Sequence, residues 1–222
     1  MILDAILSAY NEAATVAAVV RVVREAGVFR VVRVVDDGST DDTSRLAREA
    51  GATVLRLAPN RGKGQAMRAG VEASRGADAV AFFDADLLTL TAAHVRQLVA
   101  PVVARTCLMT CGIQDYGGVY NALQAALPPI TGQRVVAWRV LERVPATAWQ
   151  GFRTEVSLNV AAEVEFAARP EGVGRATCLE VLAGLTVVPK WHKVGAARGL
   201  EQAADMMIEV LVALRDAHAA IG

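Results

Sequence analysis

The sequence predicts an α/β fold: a Rossmann-like, mostly parallel sheet flanked by helices. Short apolar runs at Ile2 to Ser8, Val31 to Val35, Thr53 to Leu57 and Ala79 to Phe83 alternate with longer stretches of helical periodicity. Glycines at 27, 51 and 76 close those helical stretches. Polar residues collect directly after the apolar runs, at the strand ends where parallel sheets bind ligands.

Each element follows in order. The first strand, Ile2 to Ser8, leads to a helix starting near Glu12 and ending before Gly27. The second strand runs into Asp36-Asp37-Gly38-Ser39-Thr40-Asp41-Asp42 and then a helix from about Asp41 to Ala50. Ser39 or Thr40 is expected to cap that helix, with acids in its first turn where the dipole favours them. After Gly51 comes the strand Thr53 to Leu57, and a third helix spans Gly64 to Ser74. The fourth strand, Ala79 to Phe83, ends in Asp84-Ala85-Asp86. Beyond residue 105 the pattern loosens, with a strand from Leu179 and a long amphipathic helix from about Ala196 to Ala219. All 222 residues are read as one domain, with a ligand-binding half at 1–105 and a second half at 106–222.

Composition narrows the function classes. With 54% hydrophobic residues the chain has ample material for a core, and 23 basic against 23 acidic residues argues against a nucleic-acid partner. Cys107, Cys111 and Cys178 fit neither a zinc ribbon nor a Cys-x-x-Cys pair, and are read as buried thiols in a reducing compartment. No apolar run reaches the roughly 18 residues of a membrane span. These features predict a cytoplasmic protein with a small-molecule partner. Met206, Met207, Ile208, Val210, Leu211 and Leu214 read as core or as the interface of a homodimer.

Two carboxylates straight after a buried strand can hold a hard divalent ion if the chain turns there, so Asp84 and Asp86 form a candidate metal and diphosphate site. Taken alone, Asn11-Glu12 also reads as a helix start, Asp36-Asp37-Gly38 as a turn, and Arg61-Gly62-Lys63-Gly64 as a solvated loop. Neither a Walker phosphate loop nor a Gly-x-Gly-x-x-Gly turn is present.

In their order, Ser8-Ala9-Tyr10-Asn11-Glu12, Val35 to Asp41, Asn60-Arg61-Gly62-Lys63-Gly64 and Asp84-Ala85-Asp86 resemble the successive signatures of family 2 nucleotide-sugar glycosyltransferases. The resemblance implies a glycosyltransferase A-type fold that binds a nucleotide diphosphate sugar with Mg2+ or Mn2+. It implies Ala9, Tyr10, Glu12 and Asp37 around base and ribose, Lys63 near base or diphosphate, Asp84 on ribose or ion, and Asp86 on the metal. The cation would neutralise charge on the departing nucleoside diphosphate.

The second half is expected to bind the acceptor. Thr131-Gly132-Gln133-Arg134 resembles a segment of polyprenyl-phosphate sugar transferases and glucosyl-3-phosphoglycerate synthases. On that resemblance Gly132 allows close approach and Arg134 grips an acceptor phosphate or carboxylate. Gly151 to Glu155 resembles a further element of these relatives, making Glu155 a contact for acceptor or donor sugar and the candidate general base. His192, after the last strand, resembles a metal ligand of retaining relatives and would complete the Asp86 site. Lys190 and Lys193 are candidates to reach phosphates, whereas His94 and His218 read as ordinary helix residues.

The implied activity is metal-dependent transfer of a hexose to a small, anionic acceptor, with retention. Inverting transfer to polyprenyl phosphate and nucleotide-sugar binding without turnover are the alternatives.

Overall fold

The computed structural model describes residues 1–114, 129–151, 153–169, 172–186, 212, 215–217 and 219–221. Its strands are β1 (Leu3–Ala9), β2 (Val31–Asp36), β3 (Thr53–Arg56), β4 (Ala79–Asp84), β5 (Cys107–Gln114), β6 (Arg134–Ala137) and β7 (Arg175–Leu182). Its helices are α1 (Val16–Glu25), α2 (Thr43–Glu49), α3 (Lys63–Glu72), α4 (Ala92–Val103), α5 (Trp138–Leu141) and α6 (Arg153–Ala168). The strands make one seven-stranded sheet in the order β3-β2-β1-β4-β6-β5-β7.

The pairs β3-β2, β2-β1 and β1-β4 are parallel, as the alternation of strands and helices predicts, and β5-β7 is parallel as well. Strand β6 runs antiparallel between β4 and β5. It therefore begins at the edge where β4 ends, with Arg134 paired to Phe82 and Ala137 to Ala79.

Both faces are covered, which explains why the strands read as nearly continuous apolar runs. On one face Val16, Val19, Val20 and Val23 of α1, with Val95, Leu98, Val99 and Val102 of α4, pack on Leu7, Val34 and Phe83. On the other, Ala66 and Met67 of α3, Val140 and Leu141 of α5, and Leu158, Ala161 and Ala162 of α6 pack on Ile6, Val35, Phe82 and Met109. Successive residues such as Ile6 and Leu7 serve opposite layers, each contributing about 1.5–3 kcal/mol by burial. The three cysteines are free and buried, as expected of buried thiols.

Several boundaries differ from those expected, and the polar side chains explain the clearest cases. Helix α1 starts at Val16 rather than near Glu12, because Asn11 takes a left-handed φ of 55° and the Glu12 carbonyl receives the amides of Thr15 and Val16 in a turn. Neither Ser39 nor Thr40 caps α2; its N-cap is Asp42, without a side-chain bond. Those hydroxyls bond instead to Asn11: the Ser39 hydroxyl accepts from its amide at 2.9 Å, and the Thr40 hydroxyl donates to its side-chain oxygen at 3.3 Å. Strand β7 begins at Arg175 rather than Leu179, since its pairing with β5 starts there. Most of the helix expected over 196–219 lies outside the described residues.

Candidate functional site

The loops following β1 and β2 are laced together at the carboxyl edge of the sheet. The Asp37 amide donates to the Ala9 carbonyl at 2.8 Å, the Thr40 amide to Asn11 Oδ1 at 2.8 Å, and the Glu12 amide to Thr43 Oγ1 at 2.8 Å. Ala9 is buried, Glu12 half-buried, and Tyr10 presents an exposed ring beside them. Asp36, at the end of β2, is fully buried and receives the Ser39 amide and the Ser44 hydroxyl. Burial alone would raise its pKa, but these bonds and Arg56 outweigh it and hold the carboxyl below its ordinary value.

Asp37 is also buried. Its two oxygens accept the backbone amides of Arg61 at 2.8 Å and Gly62 at 2.7 Å. The carboxylate thus fixes the loop that delivers Lys63 to the first position of α3. Gly64 follows, and a Cβ there would lie 2.5 Å from the Trp149 carbonyl carbon, so only glycine lets α3 rest on the backbone that leads into α6.

That approach brings together side chains from both halves of the chain. Lys63 Nζ lies 2.7 Å from Asp84 Oδ1 and 3.6 Å from Glu155 Oε1. Burial opposes the ammonium charge, but Asp84 and Glu155 outweigh it and hold the Lys63 pKa above its ordinary value. Glu155 is 5% exposed, and its Oε2 has no hydrogen-bond partner among the described residues. Such a buried oxygen costs free energy unless a ligand donor meets it. Two carboxylates face one ammonium here, a charge balance suited to a cationic neighbour.

The turn before β6 closes the cluster. Gly132 lies against Asp84 so tightly that a Cβ would fall on the carboxylate, and Gln133 Nε2 donates to Asp84 Oδ2 at 2.7 Å. Arg134 does not face this cluster. Its side chain is fully buried, donating to the carbonyls of Thr131 at 2.8 and 3.0 Å, Pro129 at 3.3 Å and Glu155 at 3.3 Å, and to Asn159 Oδ1 at 3.3 Å. Its donors meet oxygens of the protein itself, where the resemblance implied an acceptor anion. Sequence reasoning passed over Gln133. Gln133 lies in the turn, one residue before β6 begins, and the motif did not say whether it or Arg134 reaches Asp84.

Asp86 sits half-buried in the turn after β4, between the buried Ala85 and Leu87. The segment just beyond it is tied to the end of the β7 region: the Leu88 amide donates to the Thr186 carbonyl at 3.0 Å, and the Thr186 amide to Thr89 Oγ1 at 2.8 Å. His192, Lys190 and Lys193 lie outside the described residues, as does His218. Among the described residues no three His, Cys, Asp or Glu side chains gather as a metal cluster. His94 lies in α4 with its Nε2 3.0 Å from the Ala183 carbonyl, as expected of a helix residue.

Residues 4–153 match the family model described as glycosyl transferase family 2. The chain belongs to that family. It is 47% identical over 77 residues to glycosyltransferase AglJ of Haloferax volcanii, an alignment covering 35% of this chain and 25% of that protein. It is 33% identical over 126 residues to glucosyl-3-phosphoglycerate synthase of Mycolicibacterium smegmatis, covering 52% of this chain and 39% of that protein. The matches thus span well under half the length of these curated relatives. Among solved structures, glucosyl-3-phosphoglycerate synthase of Mycobacterium tuberculosis, in complex with Mn2+, UDP-glucose and phosphoglyceric acid, superposes with a TM-score of 0.75 at 24% identity. That match covers 97% of this chain and 79% of that one, and shows a shared fold. No described helix is long and apolar enough to cross a membrane.

Proposed function

We propose that this chain transfers a hexose from a UDP-sugar to a small acceptor with the help of Mn2+ or Mg2+. The observation that carries the reading is the meeting of Lys63, Asp84 and Glu155 at the carboxyl edge of the sheet, on a loop held by Asp37. The solved relatives in complex with UDP-glucose and Mn2+, and with UDP and Mg2+, support the choice of donor and metals.

In this reading Ala9, Tyr10, Glu12 and Asp37 border the base and ribose, and Lys63 and Asp84 meet the polar part of the donor. Asp86 would hold the cation, with His192 as a second ligand. A turn that offers a carboxylate and leaves other positions to phosphate oxygens and water fits Mg2+ or Mn2+, hard ions that keep such ligands. Support for His192 is the resemblance of its segment to the metal-binding segment of retaining relatives. When bound, the ion would stabilise the leaving diphosphate as a Lewis acid.

Glu155 is the side chain assigned to the transferred sugar or the acceptor, because its buried Oε2 can accept from a hydroxyl. Gly132 shapes the same wall. An anionic acceptor must find its cation elsewhere than Arg134, and Lys190 and Lys193 are the candidates. The phosphoglyceric acid bound by the solved relative makes a phosphorylated small acid the first acceptor to try, with retention as its expected outcome.

Calorimetric titration of UDP-glucose and GDP-mannose, each with Mn2+ and with EDTA, tests the donor site. Metal-dependent binding of a UDP-sugar that Asp86→Ala abolishes is expected. Binding of neither donor sinks the reading. Release of UDP with 3-phosphoglycerate against polyprenyl phosphate then separates the acceptor classes.

A further inference from the structure

We infer that Gln133 is a positioning residue that sets the orientation of Asp84 and, through it, the aim of Lys63 at the donor; this rests on the donor site proposed above. Each Asp84 oxygen has one named partner in the cluster, Lys63 Nζ on Oδ1 and Gln133 Nε2 on Oδ2, both at 2.7 Å. A carboxylate held from both sides cannot rotate without breaking a bond to one of them. Gly132 presses on the same group and leaves it no room to tilt toward the turn.

Gln133 is itself held. It is 4% exposed, its backbone N–H donates to Thr131 Oγ1 at 3.2 Å, and its Oε1 lies 3.0 Å from the Thr131 hydroxyl. That hydroxyl also lies 2.7 Å from the Gly112 carbonyl of β5. The Asp84 carboxylate can only accept, so the NH2 faces it and Oε1 lies toward the Thr131 hydroxyl, whose single proton is shared with the Gly112 carbonyl. On the other side of the backbone Arg134 grips the Thr131 carbonyl and the start of α6. The turn is therefore anchored behind and presents one neutral donor in front.

Neutrality matters. Asp84 already pairs with Lys63, and a second full positive charge on Oδ2 would compete with that ammonium for the carboxylate. An amide donor holds the group and leaves its charge for Lys63. Lys63 then stays between Asp84 and Glu155, rather than swinging fully onto Glu155.

The test is a double-mutant cycle read in donor affinity. Gln133→Met keeps the length of the side chain and removes the donor. Calorimetric Kd values for UDP-glucose and GDP-mannose with Mn2+ are compared among wild type, Gln133→Met, Asp84→Ala and the double variant, with thermal unfolding of each. Gln133→Met is expected to weaken binding about tenfold to a hundredfold, the usual cost of losing a hydrogen bond to a charged group, while the unfolding midpoint changes little. In the Asp84→Ala background the same change is expected to do nothing further. Unchanged affinity in Gln133→Met overturns the inference, as do losses that multiply in the double variant. Should Gln133→Met fail to fold, Gln133→Glu decides: a carboxylate facing Asp84 must weaken binding at least as much, and unchanged affinity overturns the role. Wild-type protein that binds neither donor removes the donor-site reading, and this role with it.

Discussion

Two cations stand within one short stretch of space near the carboxyl edge of the sheet, in regions built for opposite purposes. Lys63 arrives on a loop organised by Asp37, keeps 43% of its side chain exposed, and meets two carboxylates. Arg134 arrives on the first residue of an antiparallel strand, is fully buried, and meets backbone carbonyls and the Asn159 amide. The difference shows that charge type and motif membership do not decide a residue's work; the destination of its donors does. The parallel half holds its loops so that a charged head meets carboxylates from both halves of the chain. The β6 turn turns its charged head inward and offers a neutral amide instead.

The strongest way to break this contrast is Arg134→Met. Several carbonyls lose their donor at once inside the protein, and about 3–5 kcal/mol of stability is expected to go, measured by urea unfolding. A variant as stable as wild type that has lost only acceptor use would restore Arg134 to a substrate role. Gly132→Ala sharpens the other side of the same turn. Its Cβ must displace Asp84, so about 1–3 kcal/mol of stability and at least about tenfold in donor affinity are expected to be lost. Retained affinity would show that the turn has room to yield.

Asp37→Asn probes the loop under Lys63. One of two charge-assisted bonds to Arg61 and Gly62 survives in weaker form, and a loss of about 1–2 kcal/mol is expected in unfolding, with a parallel loss in donor binding. If unfolding changes and binding does not, Lys63 needs no such support. The smallest effect is expected from acid. The folded Asp36 carboxyl titrates below its ordinary value of 3.8, so its contribution is complete above that pH and fades as pH falls through the lowered folded pKa. Wild type should therefore lose stability more steeply than Asp36→Asn as pH falls below 3.8, in urea midpoints taken at each pH. Equal slopes would remove Asp36 from the acid response.

Much of the parallel half was legible because its signals are local. An apolar run covered on both faces, a glycine after a helix, and an acid at a strand end each carry their meaning within a few residues. Asp84 stood out that way, at the end of an apolar strand, whereas Asp37 and Lys63 entered only through the resemblance of their segments to the family's signatures. The errors came where a side chain chose between a near and a distant partner. Ser39 and Thr40 sit where caps belong, but Asn11, some 28 residues away, takes their hydrogen bonds. Gln133 and Arg134 are neighbours, the last residue of a turn and the first of β6, and which one reaches Asp84 depends on how that turn meets the end of β4. The antiparallel course of β6 has no local signature at all, being a property of the sheet.

That reversed strand has a further consequence for how the rim is held. A strand that starts where its neighbours finish is moored at the rim by its first residue, and Arg134 is the mooring. The same guanidinium bonds Thr131, Pro129 and the start of α6, so the rim beside Asp84 hangs on one buried cation as an arch hangs on its keystone.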